Sequence, residues 1–403
     1  MKIISADYIL TMDKEFQILT DKAVAYDKKI IKIDTKENLV KKFPAAKLIS
    51  CEKNSVLLPG LINTHVHLEY LTNKTKLEYG EFIKWLQSVI EHRQELIDGC
   101  SEDMIEEVLE ELLRCGTTTI GEISSFGLDI EPCKKSKMNV VLFNEVLGSN
   151  PTSVDILYQD FLQRYQLSCS LEDERFIPAI SVHSPYSTHP ILVKKALLLA
   201  KDKSRVVSTH FMESHAEREW LDSGCGGFKE FLSSFTPNPK PMSSSFEFLE
   251  LFKDVKTLFA HASYATDKEL EYIEKNHYIS HCPVSNRLLE NKKLDIKDIN
   301  NFTLATDGLT SNISLNLWDE LRSALFIHEN IEIDELSRKL LSSVTAKAGD
   351  SLGLNKGQIK EGYDSDLIVV NAIEDFDDIN SLAKWLILHS NKSEKTIING
   401  EEV

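Results

Sequence analysis

His65 and His67 close an apolar run, Val56-Leu57-Leu58-Pro59-Gly60-Leu61-Ile62-Asn63-Thr64-His65-Val66-His67. On a strand, residues i and i+2 point to the same side, so the two imidazoles project together. Neutral imidazoles at that spacing are ligands for zinc or iron. The pair alone carries little weight, because about 0.4 such pairs arise by chance among 12 histidines in 403 residues. Four further apolar runs end in the same kind of residue. Val206–Glu213 carries His210, with Glu213 three residues on. Thr257–Ala262 carries His261, Phe176–His183 ends in His183, and Thr303–Gly308 carries Asp307. Together, His65, His67, His210 and Asp307 compose a three-histidine, one-carboxylate shell with room for a water. A divalent cation in such a shell acidifies its bound water toward a pKa of ~7. Glu213 has the chemistry to shuttle a proton between water and substrate. His261 has the chemistry to orient that water or stabilise developing negative charge.

These residues converge only if the runs are neighbouring strands. Eight strand candidates alternate with amphipathic stretches: Val56–Leu68, Thr117–Ile123, Val140–Leu147, Phe176–His183, Val206–Met212, Thr257–Ala262, Tyr278–Pro283 and Thr303–Thr306. That alternation predicts βα units and an α/β, TIM-like (β/α)8 barrel, whose active site lies at the C-terminal strand ends. Ser101 with Glu102-Asp103 reads as a helix start, and Thr266-Asp267-Lys268-Glu269 has capping-box spacing. Both ends of the chain read as short strands and turns, among them Ile3–Met12, Asp21–Tyr26, Lys29–Ile33, Asp366–Asn371 and Lys395–Val403. The expected organisation is a small β-sandwich from residues 1–55 plus 345–403, beside a barrel of residues 56–344.

Composition excludes several classes of function. A net charge of −17 disfavours a nucleic-acid backbone or an anionic membrane surface as partner. No apolar run reaches the ~20 residues a bilayer span needs. The seven cysteines form no C-x-x-C pair, and their odd number fits a reduced, cytoplasmic protein better than a disulfide framework. Oligomeric state is left open, with a homo-oligomer possible.

The motifs resemble the amidohydrolase superfamily, in particular its aminohydrolase branch. The resemblance rests on Pro59-Gly60-Leu61-Ile62-Asn63-Thr64-His65-Val66-His67, His210-x-x-Glu213-Ser214, His261-Ala262, His281-Cys282-Pro283-Val284-Ser285-Asn286, and Thr306-Asp307-Gly308 with Ser311-Asn312. It continues in Gly357-x-Ile359-x-x-Gly362-x-x-Ser365-Asp366-Leu367. The resemblance implies a distorted barrel and one divalent metal ion, Zn or Fe(II). Members with two metals commonly carry a carboxylated lysine on strand four, and that strand has no lysine here. By the family pattern the metal ligands are His65, His67, His210 and Asp307, while Glu213 and His261, with Asp307, carry the catalytic proton chemistry. His183 then contacts the substrate, and His281 falls at the pocket wall.

Within the branch, Phe82-Ile83-Lys84-Trp85-Leu86 is similar to the pocket helix of deaminases that act on adenine-bearing compounds. The implied partner is a small adenine-containing substrate. Trp85 is then a pocket residue, Glu91 a candidate for ribose hydroxyls, and Arg218 and Arg287 candidates for a substrate carboxylate. Two other readings stay open on the same scaffold: hydrolysis of a guanine, triazine or cyclic amide, and a non-catalytic scaffold. The second predicts missing ligands, and every ligand position is filled.

Overall fold

A computed structural model describes residues 1–73, 75–371 and 378–403. Eight parallel strands follow one another around a barrel. They are β1 (Leu61–Val66), β2 (Thr117–Ser124), β3 (Asn139–Val146), β4 (Phe176–Val182), β5 (Val207–Phe211), β6 (Thr257–His261), β7 (Tyr278–His281) and β8 (Phe302–Leu304). Helices cover the outside, so nearly every strand residue is buried on both faces. That explains the continuous apolar runs in place of alternation.

Among the described residues no backbone ladder joins β8 to β1. Hydrogen bonds bridge that seam instead. Thr64 Oγ1 lies 2.7 Å from Thr303 Oγ1, Asn63 Nδ2 donates to Thr306 Oγ1 at 2.7 Å, and the Asp307 N–H donates to the His65 carbonyl at 3.0 Å. The seam therefore fixes the Asp307 backbone directly against the strand that ends in the His-x-His pair.

The expected first strand, Val56–Leu68, is two strands. Ser55–Pro59 pairs with Leu367–Asn371 and Tyr8–Leu10 in a separate six-stranded sheet, and only Leu61–Val66 joins the barrel. The crossing falls at Gly60, where a Cβ would come within 2.1 Å of Thr118 Oγ1, so only glycine fits. Ile3–Met12 likewise divides. Lys2–Ser5 lies in a four-stranded sheet with Ala23–Tyr26, Ile30–Asp34 and Lys47–Ser50, while Tyr8–Leu10 lies in the six-stranded one. Side chains of both sheets meet in one apolar cluster that includes Ile4, Val24, Leu57, Leu367 and Ile397.

The segment from residue 345 does not all go to those sheets. Helix Ala346–Leu352 packs Ala348 and Leu352 against Ile62, Ile123, Val141, Phe143 and Leu258 inside the barrel. It closes the barrel at the end opposite the strand C-termini.

The helices that matter for the site are α1 (Phe82–Gly99), α2 (Glu102–Arg114), α3 (His215–Ser223), α4 (Asp267–Asn276) and α5 (Pro283–Leu288). Ser101 caps α2 through the Met104 N–H, and Thr266 with Glu269 closes a full capping box on α4. Such caps contribute ~1 kcal/mol each by satisfying orphan N–H groups.

Candidate active site

The open mouth holds a cluster of imidazoles. His65 and His67 Nε2 atoms lie 3.2 Å apart. The His65 ring centroid is 4.9 Å from those of His67 and His210, and the His210 centroid is 5.7 Å from that of His261. Asp307 Oδ1 is 3.4 Å from His67 Nε2 and 3.8 Å from His65 Nε2. Its Oδ2 is 4.0 Å from His261 Nε2, and Glu213 Oε1 is 3.8 Å from that nitrogen. The strand ends β1, β5, β6 and β8 therefore bring all six of these side chains together.

The local backbone is bent to do so. The β1–β2 register shifts between Asn63 and Val66, just before the histidines. Met212, His261, Ala262 and Asp307 all have positive φ, between 50° and 69°. Four non-glycine residues in that region mark stored strain, held by the surrounding bonds. Glu217 supplies part of that hold, since its carboxylate accepts the N–H groups of Met212 at 3.0 Å and Glu213 at 2.9 Å. Burial pushes its carboxyl up to about 7.

Hydrogen bonds set the ring orientations. His210 Nδ1 donates to the His183 carbonyl at 3.0 Å, leaving Nε2 as a lone pair. His261 Nδ1 faces Asn286 Oδ1 at 3.0 Å, and its buried Nε2 has no hydrogen-bond partner. The Asn286 oxygen accepts, so Nε2 is the basic atom turned toward Glu213 and Asp307. Ser285 and Ser311 hydroxyls both donate to Asp307 Oδ2, at 2.8 and 2.7 Å.

Charge states follow from these surroundings. Burial, with the neighbouring imidazoles, holds His65 well below the ordinary histidine range. Burial with His183 and His67 lowers His210 to about 3. Burial opposes ionisation of Asp307, but the imidazoles around it outweigh that and keep its carboxyl low. Burial, with the charges of Asp307 and Glu217, pushes Glu213 well above the carboxylate range. At neutral pH His65, His210 and His261 are thus neutral imidazoles, beside one carboxylate, Asp307, and one carboxylic acid, Glu213.

This donor set fits a divalent cation. Buried imidazoles converge beside an ionised carboxylate, a costly arrangement unless a cation sits there. The ligand-type atoms form overlapping groups within 4.8 Å of one another: His65, His67 and Asp307; His65, His210 and His261; and Glu145, His183 and His210. His65 is shared by the first two.

From the cluster a cavity of about 460 Å³ runs outward, within the usual size for small-molecule sites. Its walls include Tyr70, Trp85, Phe126, Tyr186 and Phe231, with His183 among them. Trp85 Nε1 donates to the Thr310 carbonyl at 2.9 Å, which ties α1 to the loop after Asp307. His183 is lowered to about 4 by burial and by His67, so it is neutral, and Ser187 Oγ sits 2.6 Å from its Nδ1.

Four expected positions fall elsewhere. Arg218 is engaged by Glu269 at 2.8 Å and Asp222 at 2.5 Å, so its guanidinium braces α3 against α4. Arg287 lies in the last turn of α5, exposed and outside the cavity walls. Glu91 sits on the exposed face of α1. His281 is buried with its Nε2 3.1 Å from His328 Nε2, behind the wall rather than in it. Two charged cavity residues had no reading from sequence, Glu145 at the end of β3 and Arg93 on α1. Both had a signal. Glu145 is a carboxylate at a barrel strand end, and Arg93 follows Trp85 and Val89 at steps of four along one helix face.

Fold and site define a metal-dependent hydrolase of the (β/α)8 barrel class. The chain belongs to the amidohydrolase family, whose profile matches residues 56–403. It is 46% identical over 405 residues to aminodeoxyfutalosine deaminase of a Nitratiruptor species, covering 100% of this chain and 99% of that one. It is 34% identical over 412 residues to an adenosine deaminase of Helicobacter pylori, again covering 100% and 99%. The crystal structure of Helicobacter pylori aminofutalosine deaminase in complex with methylthio-coformycin superposes with a TM-score of 0.94, at 33% identity, over 100% of both chains.

Proposed function

We propose that this chain is a hydrolytic deaminase of 6-amino-6-deoxyfutalosine, releasing futalosine and ammonia in menaquinone biosynthesis. The observation that carries the reaction type is Glu213. It is a buried carboxylic acid, 3.8 Å from a basic imidazole nitrogen, at the inner end of a cavity of small-molecule size. The full-length similarity to aminodeoxyfutalosine deaminase supports the substrate.

His65, His67, His210 and Asp307 would hold one divalent ion, zinc or Fe(II), since three imidazoles and a carboxylate suit either. Bound there, the ion would supply Lewis acidity and an acidified water. The chain's own groups do the rest. Glu213 donates its proton to ring nitrogen N1 as water oxygen adds to C6, which keeps charge off the ring. His261 Nε2 accepts the proton that the water loses, because Asn286 holds its other nitrogen as the donor. Asp307 stays ionised and, through Ser285 and Ser311, keeps a fixed orientation. The C6–N6 bond then breaks as protonated His261 gives its proton to the departing nitrogen and the C6 hydroxyl returns one to Glu213, leaving the C6 carbonyl, free ammonia and both groups as they began. Trp85 and Phe231 line the cavity with apolar surface on which the substrate can pack.

Two coarser features accompany this reading. Among the described residues no helix is long and apolar enough to cross a membrane. All seven cysteines are unpaired, which supports a cytoplasmic location.

The test is turnover of 6-amino-6-deoxyfutalosine against adenosine and S-adenosylhomocysteine on one metal-loaded preparation. The expected result is loss of the adenine band, equimolar ammonia and the highest kcat/KM for 6-amino-6-deoxyfutalosine. A higher kcat/KM for either of the others would replace the substrate, and no turnover of any would end the deaminase reading.

A further inference from the structure

We propose that Arg93 is the specificity-determining residue of the cavity's outer end, pairing with a carboxylate on an aromatic ring of the substrate. The proposal rests on the reading of the substrate given above, since 6-amino-6-deoxyfutalosine carries a benzoate beyond its ribose.

Among the described residues, Arg93 is the lone Lys or Arg that lines the cavity. It shares a face of α1 with Trp85, Leu86, Val89 and Ile90, all of them cavity residues. Trp85 is anchored to the loop after Asp307, and Arg93 lies eight residues, or about 12 Å, further along the helix. That separation leaves room for a sugar and one ring between the hydrolytic centre and the guanidinium.

The guanidinium is held but not consumed. Its central carbon lies over the Phe126 ring, 4.9 Å from the centroid, with the Tyr70 hydroxyl beside it. Tyr70 and Phe126 themselves meet edge to face at 5.9 Å. Phe126 is fixed in turn, because its N–H donates to the buried Glu69 carboxylate at 2.9 Å. No carboxylate among the described residues pairs with Arg93, although Glu95 nearby pairs with His92 and Lys76. A planar cation stacked on an aromatic, with its donors free, suits bidentate capture of a planar carboxylate.

The surroundings fit the rest of a benzoate. Ile90, Leu147 and Phe235 are large apolar residues at the cavity wall, yet they are 44%, 40% and 62% exposed. An aryl ring lying among them would remove that surface from water. An uncharged 5′ substituent such as a methylthio group would cover some of that apolar surface but leave Arg93 without a counter-charge.

The experiment compares two substrates, 6-amino-6-deoxyfutalosine and its benzoate methyl ester. Both present the same adenine to the hydrolytic centre. The wild-type enzyme should favour the acid over the ester in kcat/KM by about 30-fold or more, as a charge-assisted pair allows. In Arg93→Gln that ratio should fall to near one, through a rise in KM for the acid, and Arg93→Lys should restore part of it. An unchanged ratio in Arg93→Gln, or an equal loss on both substrates in both variants, overturns the role of Arg93 while the reaction stands. A wild-type enzyme that deaminates adenosine but neither futalosine compound overturns the substrate reading itself, and this inference with it.

Discussion

At the inner end of the cavity, His65, His67, His183, His210, His261 and Asp307 come from the ends of β1, β4, β5, β6 and β8; four are buried, and His67 and His183 are half-buried. At the outer end, Ile90, Arg93, Leu147 and Phe235 come from one helix and two connecting segments, and all are exposed. Three of the inner groups are oriented by a further bond: His210 by a carbonyl, His261 by Asn286, Asp307 by two serines. Of the outer groups, Arg93 rests on the Phe126 ring with the Tyr70 hydroxyl beside it. The difference separates chemistry from choice of substrate. Strand ends in a closed barrel fix positions to a fraction of an ångström, as proton transfer demands, while a helix face can change its side chains without disturbing them.

The largest effects should come from breaking the inner end. Removal of the metal by a chelator should abolish turnover, and either zinc or Fe(II) should restore it. His65→Ala should do the same without recovery, because His65 is shared by two of the ligand groups. Metal content by elemental analysis, read beside activity, checks both. Recovery of full rate in the chelated protein with no metal added would contradict the donor-set argument.

Glu213→Gln comes next. The amide keeps the shape but cannot give up a proton as the acid does, so kcat should fall about 10³-fold. Metal content and KM should change little, since Glu213 is outside the ligand groups. Loss of metal in this variant would instead make Glu213 a ligand.

Asn286→Ala probes orientation alone. It removes the acceptor from His261 Nδ1, so the ring can take either tautomer and only one is competent. A fall in kcat of about 10-fold is expected, with metal retained. A variant as fast as the parent would show that His261 takes no proton.

The same contrast accounts for what could be read from sequence. His65, His67, His210, His261 and Asp307 were legible because each ends an apolar run, and barrel topology gathers strand ends whatever lies between them. The placement of Arg218 and Arg287 was not legible, for the opposite reason. Each lies in a helix following a strand, and position along the chain does not say which face of a helix looks inward. Arg218 had carboxylates at hand, in Asp222 one turn on and in Glu269, so it folded onto them. The split of Val56–Leu68 at Gly60 was hidden too, because both halves are apolar and only tertiary pairing divides them.

Trp85 lies between the two ends and should give the smallest effect. Its indole N–H holds the loop that carries Thr310, three residues past Asp307, while its ring walls the cavity. Trp85→Phe keeps most of the apolar surface and loses that hydrogen bond, a cost of ~1 kcal/mol. If the bond serves substrate packing, KM should rise a few-fold with kcat unchanged. If it serves Asp307, kcat should fall instead. The first outcome is expected, because Ser285, Ser311 and the His65 carbonyl already hold Asp307 without help from α1.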